Sequence, residues 1–391
     1  KASFRSKTMS NQIANLTKNT GYYGCCFPHR GQHQGEVCYT GTDEEVMTKT
    51  LPFAKYMWNL PEKKLVKQFY MMGLPRIKHS IRFEVGTRFN ARLIAHVNIV
   101  ESPKNFDQIR LNMQKTGKQA TTLKGKPIPK HRAIILHFHG GGFISMSAFA
   151  HENYTRLWAK QCKVPIVSVN YSLAPQHQFP KAVNEAFEAY KWCREVAGPI
   201  WGTEKIVLVG DSAGGNLVAS VAVRCLQEKF PLPFALMPVY PALDLRRVFS
   251  PSMLLTLNDK MIPYLFLQAC LSAYLGSTNI EELHRAAGNP LASPYTASDD
   301  IISQFPRCHF VAASLDPLLD NTIRFCDRMN KLCPSGTVSM SIVPQMIHGF
   351  LSLNWPIVGV KEVLKLIKEC GEYLDALIEE KEIVPGNRLN Q

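Results

Sequence analysis

Cysteine is sparse in this chain and odd in number, 11 in 391 residues, which excludes a small disulfide-stapled scaffold. Eight of them (Cys162, Cys193, Cys225, Cys270, Cys308, Cys326, Cys333 and Cys370) lie among apolar residues or in helical patterns. They are expected as reduced thiols packed inside a cytosolic protein. No run approaches the ~18 apolar residues that a membrane span requires, and the N-terminal stretch lacks the apolar core of a secretory signal. The expectation is a soluble protein that is still free to touch a lipid surface. With 46% hydrophobic and only 19% charged residues, the disordered and low-complexity classes are excluded as well. The chain opens on Lys1 rather than Met, so a fragment or processed form is expected.

Negative charge is also scarce: 45 Lys and Arg face 31 Asp and Glu, for a net charge of +14. The imbalance is local. Residues 1–140 hold 23 basic and 8 acidic side chains, whereas residues 141–391 hold 22 and 23. A near-neutral body behind a basic N-terminal third, with few interleaved aromatics, argues against nucleic acid and leaves electrostatic contact with anionic lipid or ordinary solvated loops as the two readings.

Residues 1–44 are polar and aperiodic, and are read as a weakly ordered lead-in. Cys25, Cys26, His29, His33 and Cys38 fall within it, but their spacing does not match the paired frameworks of zinc sites, so no metal is expected. Asn15 and Asn153 begin glycosylation triplets, read as coincidence in a chain without a secretory signal. Apolar residues at helical spacing predict two amphipathic helices over about 45–80, broken at Pro61. Residues 81–100 alternate as strands, and 102–130, polar and Lys-rich, are expected as a surface loop.

Beyond Lys130 the texture changes to short apolar runs separated by helical segments: 133–138, 164–171, 206–209, 234–240, 309–313 and 338–343. Runs that are apolar on both faces and alternate with helices predict a buried parallel sheet, hence an α/β fold. Residues 250–294 interrupt the alternation with a 3.6-residue period and predict a helical insertion. Its Leu254, Leu257, Leu265, Phe266 and Leu271 form an apolar stripe that either packs against the sheet or lines a pocket.

Gly210-Asp211-Ser212-Ala213-Gly214 follows one predicted strand and opens a helix, the context required of a G-x-S-x-G nucleophile turn. His139-Gly140-Gly141-Gly142-Phe143 follows another strand. Consecutive glycines there let backbone N–H groups approach a substrate oxygen, as oxyanion stabilisation demands. A phosphate-binding loop would need a Lys and Ser/Thr or a wider glycine spacing, and neither is present. A serine nucleophile needs an imidazole, and the imidazole a carboxylate. Of 12 histidines, His348 follows the last predicted strand, and Asp316 ends the strand before it. His139 sits beside the glycines, ahead of the nucleophile, and is read as structural support of that loop. Asp211 is too close to Ser212 to reach the imidazole, and Asp320 already lies on a helix.

These stretches, with Asn170 to Pro175, Leu315 to Pro317 and His348 to Phe350, resemble the hormone-sensitive lipase family of α/β-hydrolases over about residues 45–380. The resemblance implies an α/β-hydrolase fold, a mostly parallel central sheet with helices on both faces and a helical cap. It places the catalytic domain at 81–249 and 295–391, with the cap formed by the N-terminal helices and 250–294. It implies Ser212 as nucleophile, His348 as general acid and base and Asp316 as its orienting carboxylate. Gly140, Gly141, Gly142 and Ala213 are the candidate oxyanion donors, without deciding between the glycines. The implied activity is hydrolysis of lipid carboxylic esters, acylglycerols and sterol esters, with no cofactor. A carboxylesterase for short or aromatic acyl groups, resembling arylacetamide deacetylase, is the alternative. A non-catalytic receptor on the same fold is disfavoured because no triad member is missing. The implied partners are the lipid ester, a lipid droplet or anionic membrane at the periphery, and a second copy of the chain. The family's large N-terminal domain and long regulatory insertion are missing here, so control by phosphorylation is not expected to carry over. Arg246 to Ser250, a loose kinase-site match, is read as a solvated loop.

Overall fold

The computed structural model describes residues 59–246, 248–255, 261–354 and 361–383. The polar lead-in with its Cys/His cluster, Asn15, Leu257 and the first of the two expected N-terminal helices lie outside the described residues.

A hairpin of β1 (His79–Val85) and β2 (Phe89–Ala95) precedes β3 (Ile134–Phe138), β4 (Ile166–Asn170), β5 (Ile206–Asp211), β6 (Ala235–Val239), β7 (Arg307–Leu315) and β8 (Val338–Ile347). The eight strands form one sheet in the order β1-β2-β4-β3-β5-β6-β7-β8. Pairing is antiparallel from β1 to β2 and from β2 to β4, and parallel at every other junction. Among the described residues, the α-helices of five residues or more are α1 (Lys64–Gly73), α2 (Phe106–Thr116), α3 (Glu152–Cys162), α4 (Lys181–Trp192), α5 (Ala213–Gln227), α6 (Pro251–Leu255), α7 (Tyr264–Leu275), α8 (Ile280–Ala287), α9 (Leu319–Leu332) and α10 (Lys361–Ile378).

The central strands are apolar on both faces because both faces are covered. Ile134, Leu136 and Phe138 enter a core shared with α4, α5 and α9. Their neighbour Ile135 points the other way, into a core closed by Tyr154 and Trp158 of α3 and by Val363, Ile367 and Leu374 of α10. Each large side chain buried this way contributes about 1.5–3 kcal/mol. The eight cysteines named above are free, seven of them buried and Cys333 partly so.

One segment departs from the sequence expectation. The stretch 102–130 was expected to be loop, yet it holds α2. That helix buries only Phe106 and Ile109, with the Phe106 ring stacked on Trp192 at 5.9 Å and edge-on to Trp201 at 5.1 Å. An apolar stripe this narrow does not raise a helical period above a polar background. Gly117, at φ 66°, ends the helix in the left-handed conformation.

The strands that follow β3 in sequence lie on either side of it, β4 on one and β5 on the other. Chain direction across the sheet therefore reverses at β3, and the crevice beyond the carboxyl ends of such strands is where ligands bind in open α/β sheets. The glycine loop leaves β3, Ser212 leaves β5, Asp316 leaves β7 and His348 leaves β8, so all four arrive at one edge. The β6–β7 connection carries α6, α7 and α8.

Candidate active site

Ser212 sits between the end of β5 and the first turn of α5 at φ 54°, ψ −116°, a conformation that costs about 1–3 kcal/mol for a residue with a side chain. Neighbouring hydrogen bonds hold it there. Its N–H donates to the Val239 carbonyl at 2.9 Å, and its own carbonyl accepts from Asn216 at 3.1 Å. So sharp a turn brings backbones together. A Cβ on Gly214 would lie 2.0 Å from the Phe138 carbonyl oxygen, and one on Gly210 would lie 2.5 Å from the Gly214 carbonyl. The two glycines of the motif are thus required by close packing.

The hydroxyl of Ser212 donates to Nε2 of His348 at 2.8 Å, and Nδ1 of His348 lies 2.8 Å from Oδ2 of Asp316. With the imidazole neutral, the proton on Nδ1 points to the carboxylate and the lone pair on Nε2 to the serine. Asp316 and His348 are buried. The other Asp316 oxygen accepts the Leu318 N–H at 2.8 Å, and Tyr240 flanks the His348 ring at 5.0 Å. Asp320 is engaged elsewhere, accepting the Ser252 N–H at 2.7 Å.

The structure separates the candidate oxyanion donors. The Gly140 N–H is occupied, donating to Oδ1 of Asp211 at 2.9 Å. Among the described residues, the N–H groups of Gly141, Gly142 and Ala213 have no acceptor within the protein. Gly141 and Gly142 adopt φ 111° and 59°, and a Cβ on Gly141 would meet the Ser145 carbonyl oxygen at 2.2 Å. The His139 side chain is engaged with the glycine loop and with Tyr171. His139 stacks on Tyr171 at 4.2 Å, places Nδ1 2.7 Å from the Gly140 carbonyl, and accepts the Tyr171 hydroxyl at its own carbonyl, also at 2.7 Å. Burial, reinforced by the neighbouring His151, pushes its imidazolium pKa down to about 3.

Sequence reasoning set Asp211 aside and did not single out His151 or Tyr154, yet they surround the base of the glycine loop. Tyr154 donates its hydroxyl to Asp211 at 2.8 Å, and Nε2 of His151 lies 3.5 Å from the same carboxylate. Burial alone would raise the Asp211 pKa. The nearby His151 and His137 and the hydroxyl bond from Tyr154 outweigh it and hold the carboxyl well below its usual range. The available signal was an acidic residue inside a buried apolar strand end, where an unpaired charge is too costly to persist.

Beside Ser212 lies a cavity of about 20 Å³, walled by Phe143, Ile262, Leu267, Cys270, Leu271 and Leu318. Of the pocket residues suggested by sequence, Leu271 lines it. Leu254 is exposed, Phe266 is buried outside the lining, and the Leu265 side chain is not among those described. A larger open cleft of about 430 Å³, lined by Asn59, Lys63, His139, Asn170 and Tyr171 among others, lies beside the glycine loop but does not include Ser212. Among the described residues, no His, Cys, Asp or Glu group is arranged to hold a metal and no helix is long and apolar enough to cross a membrane. Asn153 is buried, with its amide donating to the Leu351 carbonyl at 3.2 Å, and Ser250 is buried too, so neither is accessible to a modifying enzyme.

A mostly parallel sheet with a nucleophile turn, a glycine loop and a Ser–His–Asp chain at its carboxyl edge defines an α/β-hydrolase. Residues 135–352 match the family described as alpha/beta hydrolase fold, and the chain belongs to it. Within that class it is similar to human hormone-sensitive lipase, 41% identical over 177 residues, which is 44% of this chain and 16% of that protein. The match spans between 16% and 24% of the length of the human, bovine, mouse and Ictidomys tridecemlineatus hormone-sensitive lipases. It is also similar to an arylesterase of Saccharolobus solfataricus, 34% identical over 56% of this chain and 69% of that protein. The esterase of Pyrobaculum calidifontis shares the fold, with a TM-score of 0.67 at 21% identity over 85% of this chain and 94% of that one.

Proposed function

We propose that this chain is a carboxylic ester hydrolase working through an acyl-enzyme, with Ser212 as nucleophile, His348 as general base and then acid, and Asp316 as orienting carboxylate. The observation that carries the reading is the pair of 2.8 Å contacts running from Ser212 through His348 to Asp316. Ser212 Oγ attacks the ester carbonyl while Nε2 of His348 takes its proton. The N–H groups of Gly141, Gly142 and Ala213 receive the oxyanion. His348 then protonates the departing alcohol, and a water molecule activated by the same imidazole releases the acid. His139 supports the loop through its stack on Tyr171.

Similarity to hormone-sensitive lipase supports acylglycerols and sterol esters as substrates. One observation favours the second reading, short or aromatic acyl groups: the cavity at Ser212 holds little more than one water molecule as it stands. Under the lipid reading, α1 and α6–α8 act as a cap, and α7 moves to admit a long chain. The basic N-terminal third and exposed Met72, Phe249 and Leu255 support contact with an anionic lipid surface. Failure to sediment with phosphatidylserine vesicles at low salt rules that contact out.

The deciding experiment is an acyl-ester chain-length series ending in emulsified diacylglycerol, run on wild type and Ser212→Ala. Loss of about 10⁶ in rate is expected for the variant. A kcat/KM that rises with each methylene, by up to about 0.8 kcal/mol, supports the lipid reading. Activity confined to acyl chains of about four carbons or fewer establishes the short-acyl one. Ser212→Ala with undiminished turnover refutes both.

A further inference from the structure

Asp211 is an ionised carboxylate sealed inside the protein next to the nucleophile, and the acyl-transfer steps above do not use it. We propose that Asp211, together with Tyr154 and His151 of α3, forms a positioning group that sets the direction of the oxyanion loop. This rests on the serine-hydrolase reading of Ser212. The contact with the loop is direct: Gly140 donates its N–H to Asp211 Oδ1 at 2.9 Å. A Cβ on Gly140 would lie 2.4 Å from Oδ2, so only glycine lets the carboxylate come this near. Fixing the Gly140 peptide fixes the start of the turn whose next two N–H groups are left without an acceptor. Asp211 is also covalently joined to Ser212, so one residue ties the nucleophile's backbone to the loop that faces it.

The donors around Asp211 form an ordered chain. Tyr154 has a single hydroxyl proton and gives it to Asp211 at 2.8 Å. Its oxygen therefore accepts from Nε2 of His137 at 2.9 Å, and Nδ1 of His137 in turn accepts from the Ser168 hydroxyl at 2.7 Å. On the other side, Nδ1 of His151 donates to the Ser147 carbonyl at 2.8 Å, which turns Nε2 toward the Gly140 N–H at 3.3 Å. With these tautomers each of the donors has an acceptor. Packing alone does not call for this arrangement, because apolar side chains would fill the same space without the cost of desolvating a carboxylate. Preorganised donors at an oxyanion are worth a large factor in rate, and this is the group that aims them.

The test compares Tyr154→Phe, His151→Gln and Asp211→Asn with wild type on p-nitrophenyl acetate. It also measures inhibition by a trifluoromethyl ketone, whose hemiketal oxyanion occupies the same hole. The expected result is a kcat lowered about 10- to 100-fold with KM within about twofold, and an inhibition constant that rises by the same factor as kcat/KM falls. Tyr190→Phe is the control. It loses a buried hydroxyl bond to the Pro231 carbonyl at 2.8 Å, away from the site, and should lower Tm while leaving kcat unchanged. If Asp211→Asn does not fold, Tyr154→Phe carries the test. The proposal is overturned by a kcat within twofold of wild type in the folded variants. It is equally overturned by a lowered kcat with unchanged ketone affinity. A wild-type protein that neither turns over esters nor binds the ketone overturns the hydrolase reading instead, and the positioning role falls with it.

Discussion

Gly214→Ala probes the contact on which the site geometry depends. The added Cβ would lie 2.0 Å from the Phe138 carbonyl oxygen, 2.6 Å from its carbonyl carbon and 2.8 Å from the His139 carbonyl oxygen. All three are backbone atoms where β3 passes into the glycine loop, so no side chain can rotate away. Restoring ordinary contact requires the start of α5 and the end of β3 to part by about 1 Å. Overpacking of this kind costs about 1–3 kcal/mol, and the value here should fall at or above the upper end because backbone must yield. The displacement separates Ser212 from the loop that receives the oxyanion, and a misplacement of about 1 Å costs ~10²-fold in rate. The expected outcome is a kcat/KM lowered about 100-fold on an acetyl ester and an unfolding free energy, from urea titration, lowered by about 3 kcal/mol. Gly288→Ala is the matched control. Its nearest atoms are the carbonyl oxygens of Arg285 and His284 at 3.3 Å, at an ordinary φ of −71°, and it should change stability by no more than about 0.5 kcal/mol. Activity within twofold and an unchanged midpoint in Gly214→Ala would refute the reasoning.

Two further outcomes follow from buried groups. Asp316→Asn should keep the fold, since the amide oxygen can still accept the Leu318 N–H. It should lower kcat by ~10⁴ with little change in KM, because the wrong imidazole tautomer then faces Ser212; steady-state kinetics showing less than a tenfold loss would remove Asp316 from its role. His309, held between Ser339 at 2.8 Å and Ser341 at 3.3 Å, has its pKa pushed down to about 3 by burial and the nearby Arg307. The unfolded chain takes up a proton near pH 6.5 that the folded one refuses. Its contribution to stability is therefore full above about 6.5 and is lost as pH falls toward 3, by up to about 1.4 kcal/mol per pH unit. His309→Gln should flatten that slope in urea unfolding measured from pH 7 to 4, and an identical slope would count against it.

The sheet and the meeting of Ser212, Asp316 and His348 at its carboxyl edge were legible in the sequence because both leave strong local marks. Strands buried on two faces must be apolar at successive positions, as Ile134 to Leu136 and Ile206 to Val209 are. The nucleophile turn needs glycines at fixed offsets, and Asp316 and His348 each follow a strand. Helix α2 was missed because its fully buried stripe is only Phe106 and Ile109, with Met113 partly covered beside them. The division of labour among the glycines was illegible for a different reason. Whether Gly140 or Gly141 offers a free N–H depends on which one the Asp211 carboxylate reaches across the sheet, a pairing set by the β3–β5 register rather than by local pattern. His151 and Tyr154 were hidden for the same reason: the carboxylate they share, Asp211, is distant in sequence.

The claim that Ser212 forms the acyl-enzyme is tested most directly by mass spectrometry after reaction with a fluorophosphonate. The account predicts a single adduct that maps to the peptide containing Ser212 and is absent from Ser212→Ala. An adduct that persists in Ser212→Ala, or that maps to another residue in the wild-type protein, would contradict it.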